Sequence, residues 1–226
     1  MSDVLRAAWA IAAKDIRVEL ANKTAITAAS AFGVLVLVVL NFARDPASVR
    51  LAVLAPGALW VTAAFAGVVA LNRSFSMEQE QGALDGLLLA PVGRGAIYLG
   101  KYLANLAFVL VVDFIVLPVF VIFFNVEPTP ALGWVAVLLA LAAAGYVAVG
   151  TVLAAMTVRT RFAELMLPVL LLAFLVPPVL VGVQATTRLL GGRPPGEIVG
   201  WFWFLVLYDV VFITLGVMLF PATVDE

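Results

Sequence analysis

Residues 102–124 read YLANLAFVLVVDFIVLPVFVIFF, a run in which Asp113 is the only charged side chain. A helix needs about 20 mostly apolar residues to cross the hydrocarbon core of a bilayer, so this run is long enough to span a membrane. The chain as a whole is 65% hydrophobic and 12% charged, with a mean hydropathy of +1.15. Because a soluble domain does not carry this composition, we predict an all-α polytopic membrane protein.

Five further runs have a similar length and character, and with the first they predict six transmembrane helices. Their limits are 24–42, 51–72, 102–124, 131–157, 163–184 and 198–220. The sequence contains no convincing internal repeat and no linker long enough to separate two domains. We therefore expect residues 1–226 to form a single transmembrane domain.

The basic residues indicate how the spans are oriented. If the connections alternate sides, nine of the 13 Lys and Arg residues share the side of the N-terminus. The opposite side holds the rest: Arg44, Arg50, Arg188 and Arg193. By the positive-inside rule, both termini are predicted to face the cytoplasm.

Residues 1–23 precede the first span and have the spacing of an amphipathic helix. Apolar side chains recur on one side of it: Leu5, Trp9, Ala12, Ala13, Ile16 and Leu20. Arg6, Lys14 and Arg17 project to one flank of that stripe. We expect this helix to lie along the cytoplasmic surface of the membrane, the alternative being a merely solvated helix.

The composition disfavours several function classes. The chain has no cysteine and no histidine, which excludes disulfides, thiolate or imidazole metal ligands, and a Ser–His dyad. We predict neither a metal site nor a firmly bound cofactor. A net charge of -1 and the lack of a dense basic patch disfavour nucleic acid as a partner.

The connection between the second and third spans, residues 73–101, combines charge with a helical pattern. Gly82 interrupts any helix that continues from the second span, and Pro91 ends a short helix predicted for residues 83–90. Its apolar side chains share one side: Leu84, Leu87 and Leu88. Three carboxylates stand at or beside its start: Glu78, Glu80 and Asp85. A helix this short is marginal in water, so it needs a docking surface; the alternative is a solvated loop that touches the headgroups.

Motifs in this sequence resemble those of a known family. The pattern Glu80-Gln-Gly82-Ala-Leu84-Asp85-Gly-Leu87-Leu88-Leu-Ala-Pro91, with Lys101 ten residues later, resembles the coupling loop of six-helix ATP-binding-cassette export permeases. More specifically, five segments look like the haem exporter protein B family, CcmB, of c-type cytochrome maturation: Lys14-Asp15-Ile-Arg17-Val-Glu19-Leu20, Ala55-Pro56-Gly57-Ala-Leu-Trp60-Val, Leu71-Asn72-Arg73-Ser-Phe75, Leu99-Gly100-Lys101 and Leu167-Pro168-Val-Leu. The resemblance runs over nearly the whole chain, is densest from about residue 55 to 105, and weakens after about residue 180.

The resemblance implies a permease subunit of the bacterial inner membrane that forms a dimer. It also implies two copies of a cytoplasmic ATPase subunit and haem-handling membrane proteins as partners. ATP would be hydrolysed by the ATPase, since this chain has no G-x-x-x-x-G-K-[ST] phosphate loop. The residues that would transmit the motion of the ATPase are Glu78, Glu80, Gly82, Leu84, Asp85, Leu87, Leu88, Pro91 and Arg94.

Asp113 and Asp209 lie near the centres of the third and sixth spans. A carboxylate there is unfavourable by a few kcal/mol unless it faces protein, water or a partner, so both are candidate functional residues. Structural alternatives are a hydrogen bond to a neighbouring helix or a span limit placed several residues too far. Gly145 and Gly150 make one face of the fourth span small enough for close helix packing.

The leading interpretation is therefore a permease that exports haem or releases a haem-loaded chaperone. Without His or Cys, the chain is not expected to ligate haem iron firmly, so haem is a possible substrate only. The alternatives are export of a lipid, glycan or drug, and a membrane scaffold that transports nothing. An intramembrane aspartyl hydrolase built from Asp113 and Asp209 is disfavoured because neither residue lies in a catalytic motif.

Overall fold

A computed structural model of the chain describes residues 2–43, 50–81, 86, 91–157 and 163–224. Within these ranges the chain forms seven α-helices and no strand: α1 (Ser2–Asn22), α2 (Thr24–Ala43), α3 (Leu51–Gln81), α4 (Arg94–Phe123), α5 (Ala131–Thr157), α6 (Ala163–Leu190) and α7 (Val199–Val224). A short 3-10 helix, Pro195–Ile198, precedes α7. The six helices α2 to α7 are long and apolar enough to cross a membrane, which confirms the predicted all-α, six-span membrane protein.

Two helices extend beyond their predicted spans at the end of the bundle that carries α1. The second span was predicted to end at residue 72, with any helix that continues from it interrupted at Gly82; the apolar part of α3 is Leu51–Asn72 and the helix ends at Gln81. The third span was predicted to begin at residue 102, but α4 begins at Arg94. Residues 82–93 connect the two helices. A charged residue ends an apolar run in the sequence, but the helix and its backbone hydrogen bonds continue past that residue. A helix as long as α4 measures about 45 Å, which exceeds the ~30 Å hydrocarbon core.

The helices pack around α4, which contacts α1, α2, α3, α5 and α7. The helix α5 packs against α4, α6 and α7, and α3 packs against α2, α4 and α6. The core between them contains large, fully buried side chains such as Trp60, Tyr98 and Phe120. Outward faces of the spans are apolar as well: Phe114 is 78% exposed and Met218 is 70% exposed. This distribution suits a bundle whose outer surface is covered by lipid.

The small face of α5 makes the close contacts expected of it. A Cβ atom at Gly145 would lie 2.7 Å from Oδ1 of Asp209 in α7, and one at Gly150 would lie 3.0 Å from Cδ1 of Leu71 in α3. Both distances are shorter than an ordinary contact, so glycine is what allows these neighbours to approach. The contacts lie within one copy of the chain.

Candidate functional site

The predicted coupling residues lie around the connection between α3 and α4. Glu78 and Glu80 are in the last turns of α3, but their side chains lie outside the described residues, as do Gly82, Leu84, Asp85, Leu87 and Leu88. Pro91 is exposed just before α4, and Arg94 is the first, half-buried residue of that helix. The assignment of these residues to ATPase coupling stays a prediction.

A buried ion pair joins α1 to α4 beside this connection. Nζ of Lys101 lies 2.8 Å from Oδ2 of Asp15, and the two side chains are only 6% and 16% exposed. Lys14 also reaches Asp15, at 2.8 Å from Oδ1, but its own side chain is 48% exposed. The charge of Lys101 is therefore placed in the protein interior against a carboxylate from a helix distant in sequence. Such pairs fix geometry, because leaving either charge alone in the interior is unfavourable.

Close backbone packing holds α1 against the same part of α4. A Cβ atom at Gly100 would lie 2.7 Å from Cβ of Ile11 and 2.8 Å from the carbonyl oxygen of Ala8. One turn further on, Ala12 packs with Ala104 and Phe108. The small residues bring the two helices into direct contact, so that α1 is attached to the first turns of α4.

The end of α1 is also attached to the start of α2. Oε1 of the buried Glu19 accepts hydrogen bonds from the backbone amides of Ala25, at 2.8 Å, and Ile26, at 3.2 Å. These amides belong to the first turn of α2. The N–H groups of a first turn have no acceptor within their own helix. A carboxylate at this position also interacts favourably with the helix dipole. Glu19 therefore fixes the turn at Lys23, whose backbone φ of 54° is in the left-handed region.

The face of α1 that contacts the protein overlaps the predicted apolar stripe only in part, at Ala12 and Ile16. Leu5, Trp9 and Leu20 are 60%, 68% and 53% exposed, whereas the buried residues are Ala8, Ile11, Ala12 and Glu19. At 100° per residue, the exposed apolar stripe is centred about 100° round the helix from the buried one. The charged Arg6, Lys14 and Arg17 are exposed on a third side. A helix with separate protein-facing, apolar and charged sides suits a membrane surface, and its interfacial position stays a prediction.

Polar side chains continue along the inner face of α4. The hydroxyl of Tyr98 donates to the carbonyl oxygen of Ala148 at 3.2 Å, and the Tyr98 ring stacks on Tyr102 with centroids 6.2 Å apart. Two turns further along α4 from Tyr98, the Asn105 amide donates to Oγ1 of Thr151 at 3.4 Å. These contacts join α4 to α5 in the half of the bundle that carries α1.

The two intramembrane aspartates are both buried but occupy different places. Asp113 is 6% exposed and lines a small cavity with Trp60 and Tyr146; Asp209, 7% exposed, is not among the residues around that cavity and lies against Gly145. Both carboxylates thus face protein rather than lipid. The structure gives no support to an aspartyl pair across the two spans.

The donor set is poor in groups that hold metals. Within the described ranges, no three Asp, Glu, His or Cys side chains come together. The chain has neither His nor Cys, which leaves Met and Tyr as the side chains able to bind haem iron axially.

A family model described as CcmB protein matches residues 6–226, from within α1 through all six spans. The chain belongs to the CcmB family. The resemblance found in the sequence motifs is thereby confirmed, and it extends past residue 180, where the motifs were weakest.

Curated relatives agree with this assignment. Heme exporter protein B of Rhodobacter capsulatus is 30% identical over 179 residues, which cover 79% of this chain and 82% of that protein. The protein of the same name in Paracoccus denitrificans is 31% identical over 187 residues, 82% of this chain and 85% of the relative. Heme exporter protein B of Pseudomonas aeruginosa is 27% identical over 170 residues, 75% and 76% of the two chains.

Proposed function

We propose that this chain is the transmembrane permease subunit of an ATP-binding-cassette transporter that acts on haem during c-type cytochrome maturation. The match to the CcmB family over residues 6–226 carries the proposal. Relatives of similar length are named Heme exporter protein B, and the six spans suit a permease. The chain itself catalyses no reaction, and ATP is hydrolysed by a separate cytoplasmic subunit.

Residues 82–93 form the contact with that ATPase. The proposal is supported by the helices on either side, since α3 and α4 both run past their spans to reach this connection. A long helix transmits a displacement at one end to the other, and α3 and α4 share the core around Trp60 and Phe120. Closure of the ATPase subunits would therefore move the two helices together.

The helix α1 moves with α4 in this mechanism. Lys101 and Asp15 form a buried ion pair, and Gly100 lies against Ile11, so a displacement of the first turns of α4 is passed to α1. The exposed side of α1 with Leu5 and Trp9 then lies in the headgroup region of the membrane. The N-terminal helix thus acts as a support at the membrane surface for the coupling segment.

The assembly comprises two copies of this chain, two ATPase subunits and haem-handling membrane proteins, in the bacterial inner membrane. Both termini lie in the cytoplasm, as the nine Lys and Arg residues on their side predict. Contact with haem is made through apolar surface or through an iron ligand that a partner supplies, because this chain offers no His or Cys. The cycle either exports haem or releases a haem-loaded chaperone.

A co-purification experiment tests the proposal. In native membranes the chain should bring down an ATPase subunit and haem-binding membrane proteins. Glu80→Lys with Asp85→Lys should weaken ATPase recovery by at least tenfold while the chain still inserts into the membrane. Glu127→Lys, in the connection between α4 and α5, is the control and should leave recovery unchanged.

Each alternative function gives a different result in that experiment. Partners of lipid or glycan metabolism in place of haem-binding proteins would favour export of another substrate. A scaffold would support cytochrome maturation even when the ATPase partner is catalytically dead. Equal ATPase recovery from the reversed and native chains would contradict docking through residues 82–93.

A further inference from the structure

A small cavity lies where α3, α4, α5 and α6 meet inside the membrane-spanning part of the bundle. Its walls include Trp60, Asp113, Ala142, Tyr146 and Pro178, and its volume open to a water molecule is about 10 Å³. That is close to the minimum space that one buried water occupies. The cavity therefore has about the space of one water molecule.

Two polar atoms of the residues that line the cavity make no hydrogen bond within the described residues. They are Oδ1 of Asp113 and the hydroxyl oxygen of Tyr146, in side chains whose residues are 6% and 4% exposed. A buried polar atom without a partner is unfavourable by about 1–3 kcal/mol, and two on one cavity double that penalty. Both atoms are therefore sites where a bound ligand gains stability.

The third polar group on the cavity wall is already engaged. Nε1 of Trp60 donates to Oγ1 of Thr186 at 2.8 Å, and this bond joins α3 to α6. The hydroxyl end of Tyr146 lies against α3 at Gly67, where a Cβ atom would lie 2.9 Å from the Cζ atom of Tyr146 and closer still to its hydroxyl oxygen. Glycine at that position gives the phenol ring its place against α3. No Lys or Arg is present among the described residues around the cavity, so an ion pair does not satisfy Asp113.

We propose that Asp113 and Tyr146 bind one buried water molecule, which bridges α4 and α5 within the membrane. The water accepts a hydrogen bond from the Tyr146 hydroxyl and donates one to the carboxyl oxygen of Asp113. Such a bridge is nearly as favourable as a direct hydrogen bond. The water would connect α4 and α5 by hydrogen bonds at a depth where the two helices otherwise pack through small and apolar residues. This inference does not depend on the proposed transport of haem.

A cavity-filling variant, measured in two backgrounds, distinguishes a wet cavity from a dry one. Ala142→Val narrows the cavity wall; if water is bound, it is displaced and both polar atoms lose their partner. The thermal unfolding midpoint of the purified complex should then fall by about 2–4 °C or more. In a background of Asp113→Leu with Tyr146→Phe the cavity is apolar, and the same Ala142→Val change should raise the midpoint or leave it unchanged.

The comparison between backgrounds removes the effect of steric strain, which Val introduces in both. An identical shift of the midpoint in both would overturn the proposal. A high-resolution map of the assembled complex gives a second readout. One density peak within about 3 Å of both oxygen atoms would support the bridge. A direct Asp113–Tyr146 hydrogen bond, or an empty site in a map that shows other buried waters, would contradict it.

Discussion

The Tyr208 hydroxyl in α7 donates a hydrogen bond to the backbone carbonyl oxygen of Phe174 in α6, at 2.7 Å. Pro178 follows Phe174 by four residues and has no amide hydrogen, so this carbonyl lacks its usual partner within the helix. A side chain from the neighbouring helix takes the place of that amide. This is how proline is tolerated within membrane helices, where water does not satisfy the freed carbonyl.

Tyr208→Phe should therefore destabilise the protein. The change removes the hydroxyl and leaves the Phe174 carbonyl without a donor, which we expect to lower the free energy of unfolding by about 1–2 kcal/mol. Thermal unfolding of the detergent-solubilised protein measures this as a lower midpoint. The matched background is Pro178→Ala, which restores an amide four residues after Phe174. There Tyr208→Phe should have little effect, and an equal loss in both backgrounds would show that the proline is irrelevant to the bond.

The ion pair between Lys101 and Asp15 predicts an asymmetric set of effects. Asp15→Asn removes the carboxylate that lies 2.8 Å from the buried Lys101 ammonium and should destabilise the protein by about 1–3 kcal/mol. Lys101→Met removes the buried ammonium itself, so its loss of stability should be smaller than that of Asp15→Asn. Lys14→Met is the control on the same carboxylate: Lys14 is half exposed, and we expect a change below about 1 kcal/mol. Equal losses for Asp15→Asn and Lys14→Met in thermal unfolding would contradict the burial of Lys101.

Gly100 should be intolerant of any side chain. In Gly100→Ala the new methyl group meets Ile11 and the carbonyl of Ala8, which should separate α1 from α4 and destabilise the protein by about 1–3 kcal/mol. Gly95→Ala is a control in the same helix, because its Cβ atom would lie 3.6 Å from the nearest atom, in Val217. That variant should be neutral or more stable, since Ala favours the helix over Gly. If both changes had the same effect on the unfolding midpoint, the close contact would not exist.

The six spans were predictable because apolar runs of sufficient length have few alternatives in a chain of this composition. The start of α4 was not predictable, because Lys101 ends the apolar run in the sequence. The ammonium of Lys101 pairs with Asp15, a residue 86 positions away, and no local pattern reveals such a partner. Lys101 and Asp15 were both within motifs that resemble the family, but their contact was not foreseen.

The protein-facing side of α1 was predicted only in part, for a different reason. Helices that pack closely in membranes use small residues, and Ala8 and Ala12 contribute little to an apolar pattern dominated by Leu5 and Trp9. The signal available in the sequence for this face was the four-residue spacing of Ala8 and Ala12, followed by Glu19 on the same side of the helix. Asp113 was recognised as unusual from its depth alone. Its neighbour Tyr146 was not, because only the packing of α5 on α4 brings the two together.

Cross-linking from single cysteines tests the role of the coupling segment most directly. The sequence has no native cysteine, so every cross-link from this chain must start at the introduced thiol. Asp85→Cys places a thiol in the segment 82–93, and Thr129→Cys places one in the connection between α4 and α5. In native membranes treated with a thiol-to-amine cross-linker, the account predicts that Asp85→Cys is joined to the ATPase subunit and Thr129→Cys is not. Labelling of Asp85→Cys by a membrane-impermeant thiol reagent added from the periplasmic side, with no cross-link to the ATPase, would contradict it.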